Sequence, residues 1–176
     1  MVDPDILDGK RVLVVDDEPD ILDVLEELLS MCHLDRASSF EEAKALLDSN
    51  AYDLAILDIM GVDGYRLLEI SRNKGINTVM LTAHAFTPDD LVKSIKKGAD
   101  CYLAKEEMGN IKSFLIDVIK AKREKRSPWV SWEERLPSSY FEKRWGAAWQ
   151  DKDKDFWERF RASIKARRSQ GGTSDE

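Results

Sequence analysis

The nine residues VLVVDDEPD, Val12 to Asp20, decide how the rest of the chain is read. Val12 to Val15 form a short, valine-rich apolar run of the kind found in buried strands. The run stops on Asp16, Asp17 and Glu18, and Pro19 follows. Proline fits the first turn of a helix, where its missing N–H costs nothing. Strand, acidic turn and helix start therefore fall within one short stretch. Adjacent carboxylates repel, so a site that keeps them together is expected to supply a cation.

The same alternation continues outward. RVLVVD (11–16) is the first strand, and Ile21, Leu22, Leu25, Leu28 and Leu29 follow at helical spacing. HLDRA (33–37) gives a short second strand. Phe40, Ala43, Leu46 and Leu47 mark a second helix, with Ser39 and Glu42 as a capping box. DLAILD (53–58) is a third strand ending on Asp58, and a helix runs from about Gly64 to Arg72. INTVMLT (76–82) is the fourth strand. A helix starts near Pro88 and stops at Gly98, a C′ glycine. ADCYLAK (99–105) is the fifth strand, and Ile111, Phe114, Leu115, Val118 and Ile119 share one face of a final helix.

Five strands alternating with five helices predict an α/β, doubly wound parallel sheet. Ligands of such sheets bind outside the carboxyl ends of the strands. Those ends carry the unusual polar residues: Asp16 and Asp17, Asp58, Thr82 and Lys105. They are expected to converge on one pocket. Oxygen ligands without His or Cys favour a hard ion such as Mg²⁺. A lysine and a threonine opposite would hold an anion, which points to phosphoryl chemistry. An aspartate can itself be the nucleophile and form an acyl phosphate.

VVDDE, LAILDIM…DG, VMLTAH and GADCYLAK, in this order and spacing, resemble the receiver domain of two-component response regulators, the CheY-like superfamily. The resemblance covers residues 9 to about 122. It implies a flavodoxin-like (βα)5 sheet of strand order 2-1-3-4-5. It implies Asp58 as phosphoacceptor, with Asp16, Asp17, Asp58 and the Met60 backbone carbonyl around Mg²⁺. Thr82 and Lys105 are then the phosphoryl-binding pair, and Tyr102 the aromatic that follows the move of Thr82. His84 lies where the family tunes dephosphorylation. The implied partners are a sensor histidine kinase or phosphotransfer protein upstream and an unknown protein downstream. The downstream surface is the face of the fourth helix, fifth strand and fifth helix, or the C-terminal extension, with a homodimer among the outcomes. Such a protein is a signalling switch rather than an enzyme. The alternative is a degenerate receiver, a constitutive interaction module without phosphotransfer. An aspartate-nucleophile phosphatase would need D-x-D after a strand, and Asp58-Ile59-Met60 lacks it.

Two stretches depart from the family pattern. The loop Asp58-Ile59-Met60-Gly61-Val62-Asp63-Gly64 is two residues short and lacks the usual Met-Pro. Glu106 stands after Lys105 where proline is usual.

Charge divides the chain. Residues 1–120 carry 13 Lys+Arg against 24 Asp+Glu, a net −11, and residues 121–176 carry 14 against 10, a net +4. All five tryptophans follow residue 128. The organisation expected is a receiver domain over 1–126, a linker over 127–137, a helical aromatic extension over 138–168, and a disordered tail over 169–176. Capping boxes are expected at Ser139–Glu142 and Asp155–Glu158, with Phe141, Trp145 and Trp149 on one helical face. No DNA-binding pattern is found there. The extension is read as packing on the receiver or a second copy, as docking another protein, or as lying on a membrane or nucleic acid. The total of −7 argues against a general nucleic-acid binder. No run approaches a membrane span, Cys32 and Cys101 form no metal or disulfide pattern, and the acidic start is unlike a signal peptide. A cytoplasmic protein is expected.

Overall fold

The computed structural model describes the backbone of residues 4–83 and 86–174, and the side chains of residues 6–83 and 86–165. After a 3-10 turn at Pro4–Leu7, the elements are β1 (Arg11–Val15), α1 (Pro19–Leu28), β2 (His33–Ala37), α2 (Phe40–Ser49), β3 (Leu54–Leu57) and α3 (Gly64–Asn73). Then come β4 (Asn77–Thr82), α4 (Pro88–Lys96), β5 (Cys101–Ala104) and, after a 3-10 helix at Lys105–Asn110, α5 (Ile111–Arg123). The extension holds α6 (Pro128–Arg135), α7 (Ser138–Trp145), a 3-10 turn at Asp151–Asp153 and α8 (Lys154–Ser174).

The five strands are all parallel, in the order β2-β1-β3-β4-β5, as expected. Strands β1, β3 and β5 are apolar runs because helices cover both faces of a parallel sheet; β3 and β5 are buried throughout. The edge strand β2 is largely half-exposed, which explains its mixed sequence HLDRA. Ser39 caps α2 by accepting from the Glu42 N–H at 3.2 Å, but the Glu42 carboxylate bonds Ser38 rather than Ser39. At the end of α4, Gly98 takes φ +93°, the left-handed conformation that a C′ glycine supplies.

The extension departs from its expected outline. Residues 127–137 are not an open linker. Ser127 caps α6 by accepting from the Trp129 N–H, and Trp129, Val130 and Trp132 are buried. Neither expected capping box forms. Pro137, not Ser139, precedes α7, and Asp155 lies inside α8. Trp149 is not on the helix of Phe141 and Trp145, because α7 ends at Trp145 and Gly146 turns the chain with φ +87°. The ring returns through that turn, 5.3 Å from both Phe141 and Trp145. Helix α8 continues past Ser169 to Ser174. Its buried face is Trp157, Phe160 and Ile164, with Arg159, Arg161 and Lys165 exposed.

Helices α6 and α7 lay this aromatic layer on β5 and the start of α4. The Trp132 indole N–H donates to the Tyr102 carbonyl at 2.9 Å. The Trp145 indole N–H donates to the Phe86 carbonyl at 3.2 Å. Phe86 stacks on Tyr102 with ring centroids 5.2 Å apart and is 5.0 Å from Trp145. Arg135 pairs with Asp117 of α5, and Lys152 with Asp89 of α4 at 3.0 Å. One continuous hydrophobic core includes both the sheet and the extension.

Candidate phosphorylation site

The carboxyl ends of β1, β3, β4 and β5 bring Asp16, Asp58, Thr82 and Lys105 to one end of the sheet. The ladder runs on just past the strands. The Asp16 N–H donates to the Ala37 carbonyl at 3.1 Å, and the Asp58 N–H to the Val15 carbonyl at 3.0 Å. Both carboxylates are therefore fixed by backbone in the middle of the sheet, and both are buried, as is Thr82.

Lys105 ties the cluster together. Its Nζ lies 2.9 Å from Asp16 Oδ2, 3.0 Å from Glu18 Oε1 and 3.8 Å from Asp58 Oδ1. Glu18 belongs to the site although the sequence reading stops at Asp17; its place in the acidic run at 16–18 is the signal that was available. Its N–H also donates to Asp16 Oδ1 at 2.9 Å, which closes the turn before Pro19.

Burial pushes the Asp58 carboxyl up to about 7, with the Asp16 charge next in weight and Asp17 adding to it, against the pull of Lys105. Asp16 is raised as well, chiefly by burial, although Lys105 draws it down. Burial alone would lower Lys105; its bonds to Asp16 and Glu18 and the nearby Asp58 carry it above its ordinary value. The protein thus holds more negative charge here than Lys105 comfortably offsets. Among the described residues, the carboxylates close enough to share an ion are Asp16, Asp17 and Glu18, whose ligand atoms lie within 4.8 Å of one another. Asp58 stands outside that trio. An all-oxygen donor set with excess negative charge fits a hard divalent cation.

The short loop after Asp58 is closed by two left-handed residues. Gly61 has φ +83° and Asp63 φ 54°. A Cβ on Gly61 would come 2.5 Å from Asp17 Oδ2, so the loop backbone lies directly on the Asp17 carboxylate. A Cβ on Gly64 would come 2.1 Å from the Asp58 carbonyl oxygen, and the Gly64 N–H donates to the Ile59 carbonyl at 3.1 Å. Glycine at both positions is what lets α3 begin so soon after Asp58. The Met60 side chain is 56% exposed and points away from the core.

Tyr102 is fully buried. Its hydroxyl accepts from the Thr87 N–H at 2.9 Å and donates to the Thr87 carbonyl at 3.2 Å, and burial pushes its pKa well above the usual tyrosine range. It therefore links β5 to the N-terminus of α4. His84 lies outside the described residues. No helix among the described residues is long and apolar enough to cross a membrane.

The comparisons with known proteins agree with this geometry. The family described as response regulator receiver domain matches residues 12–115. A two-component response regulator of Arabidopsis thaliana, ARR18, is 41% identical over 113 residues, which are 58% of this chain and 18% of that protein. A second from the same plant, ARR10, is 35% identical over 66% of this chain and 23% of its own length. The chain therefore spans about a fifth of these curated relatives. Among solved structures, a CheY-like receiver domain protein from Methanospirillum hungatei is 29% identical with a TM-score of 0.55, over 64% of this chain and 98% of that one. The response regulator TrrA from Thermotoga maritima, solved in complex with Mg(2+)-BeF, is 36% identical with a TM-score of 0.54, over 62% and 98%. With the matched segment holding Asp16, Asp58, Thr82 and Lys105 at one end of a 2-1-3-4-5 sheet, this chain belongs to the response regulator receiver family.

Proposed function

We propose that the protein is a phosphorylation-controlled switch in which Asp58 accepts a phosphoryl group. The observation that carries this reading is the buried Asp58 carboxylate, 3.8 Å from a lysine already held by Asp16 and Glu18. A phosphohistidine of a sensor kinase or phosphotransfer protein is the donor. An Asp58 oxygen attacks phosphorus; the new O–P bond forms as the P–N bond breaks, and the imidazole leaves with its electron pair. Lys105 orients the nucleophile and then faces the phosphoryl oxygens, and the Thr82 hydroxyl supplies a hydrogen bond to one of them. Asp16 and Asp17 would hold Mg²⁺, with Asp58 and the Met60 carbonyl completing the protein's share and Glu18 adjoining. Bound there, the ion would neutralise charge on the transferring group. Tyr102 then passes the change to the face of α4, β5 and α5. That face carries α6 to α8, so the output is a change in the docking of the extension, in its contact with another protein or in self-association. The location is the cytoplasm.

Intact mass after incubation with acetyl phosphate and Mg²⁺ tests the reading. One phosphoryl adduct is expected on wild type and none on Asp58→Asn. If folded wild type takes no adduct, the protein is a constitutive interaction module. The short loop that presses Gly64 on the Asp58 carbonyl is then the first cause to examine.

A further inference from the structure

Thr82 and Lys105 of the phosphorylation site border a cleft of about 570 Å³ that is walled in part by the extension. Its lining includes Thr82, Lys105 and Glu106 from the receiver and Phe86, Arg144 and Trp145 around the end of α7. Arg144 is the last residue but one of α7, and its guanidinium pairs with Glu106. It also lies 4.5 Å from the Tyr140 ring centroid and 5.6 Å from that of Phe86. Trp145, its neighbour, is pinned to the Phe86 carbonyl. The end of α7 is therefore anchored while the Arg144 head borders the same cleft as Thr82 and Lys105.

The charges favour a change of partner. Glu106 is 56% exposed and Arg144 32% exposed, so their ion pair is weak. A phosphoryl group on Asp58 would bring a charge of about −2 and several acceptor oxygens. Lys105 is already shared between Asp16 and Glu18. A guanidinium is always charged and its planar fork suits phosphoryl oxygens better than an ammonium does. We infer that Arg144 is a phosphoryl-binding residue supplied by the extension: on modification of Asp58 it leaves Glu106 and pairs with the phosphoryl oxygens across the cleft. The inference rests on the reading of Asp58 as phosphoacceptor. It gives the extension a direct stake in the state of the site, and the coupling is reciprocal. Docking of α7 strengthens the hold on the phosphoryl group, and the phosphoryl group strengthens the docking of α7 by the same factor; the contact is also expected to slow loss of the group.

The test is the lifetime of the acetyl-phosphate adduct by intact mass, with the Mg²⁺-dependent affinity for beryllofluoride as a second readout. The full chain is used as wild type, Arg144→Gln, Arg144→Lys and Glu106→Gln. Arg144→Gln should shorten the lifetime and weaken beryllofluoride by roughly fivefold. Arg144→Lys should restore part of this. Glu106→Gln should act in the opposite direction, because it removes the competitor for Arg144. A mere tether between receiver and extension would make Arg144→Gln and Glu106→Gln shift together, and that result, or no shift in either, overturns the inference. Should Arg144→Gln fold poorly, the sign of the Glu106→Gln effect decides alone. Absence of an adduct on wild type overturns the phosphoacceptor reading and this inference with it, whereas labelled wild type with unaffected variants overturns the inference only.

Discussion

The two edges of the sheet are closed by different means. At β2 the protection is charge: Arg36 reaches Asp23 at 2.7 Å and Glu26 at 2.8 Å on α1, and Asp35 accepts from the Tyr52 hydroxyl at 2.6 Å. At β5 it is cover: every residue of the strand is buried, and α6 hands the Trp132 indole N–H to a Tyr102 carbonyl. An uncovered edge strand invites pairing with another chain. Charge leaves the edge open to water while discouraging that pairing. Cover merges the edge into the core, and whatever moves β5 must then move the helices on it. The extension is accordingly built into the β5 side of this receiver.

Breaking the cover should cost most. Trp132→Ala removes a buried ring and its N–H bond to the Tyr102 carbonyl, so urea unfolding should report a loss of about 3–5 kcal/mol. Trp132→Phe keeps most of the packing and should lose only about 1–2 kcal/mol. Equal stability of Trp132→Ala and wild type would mean that the extension is not docked in solution.

The same contrast explains what could be read from sequence. The β1 and β3 termini are legible because a buried apolar strand and the aspartate that ends it are both local features, adjacent in the chain. Strand HLDRA is less legible, since an edge strand that is half-exposed carries neither an apolar run nor a clean alternation. The α6 segment is not legible because Ser127-Pro128 signals equally well a linker and a helix N-cap with proline at N1. Only the partner surface decides: Trp132 donates to Tyr102 of β5, and Trp129 lies edge-on to Phe160 of α8. Glu106 shows the same limit from the other side. As a departure from Lys-Pro it looks like a loss, and its partner Arg144 lies beyond the matched segment.

Between the edges, the carboxyl end of the sheet buries more carboxylates than Lys105 offsets, and its cost is pH-dependent. Asp58 is raised from 3.8 to about 7 on folding. The folded chain thus holds this proton more tightly than the unfolded chain. The associated stability is present below about pH 4 and is lost as pH rises through about 7. Asp58→Asn carries no such loss. Its stability advantage over wild type should grow from near zero at pH 4 to about 2–4 kcal/mol above pH 7.5, in chelator. Millimolar Mg²⁺ should shrink it. A difference that stays flat with pH would show that Asp58 ionises normally and that Lys105 already balances the cluster.

The smallest effect belongs to the charged edge. Arg36 makes two ion pairs of good length, yet its partners Asp23 and Glu26 are 65% and 57% exposed. Exposed pairs gain little because water and salt compete for both members and two long side chains must be held still. Arg36→Ala should therefore move the Tm by no more than about 2 °C, and less still in 1 M NaCl, where the Debye length falls to about 3 Å. The variant should nonetheless show more concentration-dependent association by light scattering, since it removes the charge that discourages pairing at β2. If Arg36→Ala proved as costly as Trp132→Ala, the distinction between an edge guarded by charge and an edge built into the core would collapse, and β2 would have to be treated as a second buried interface.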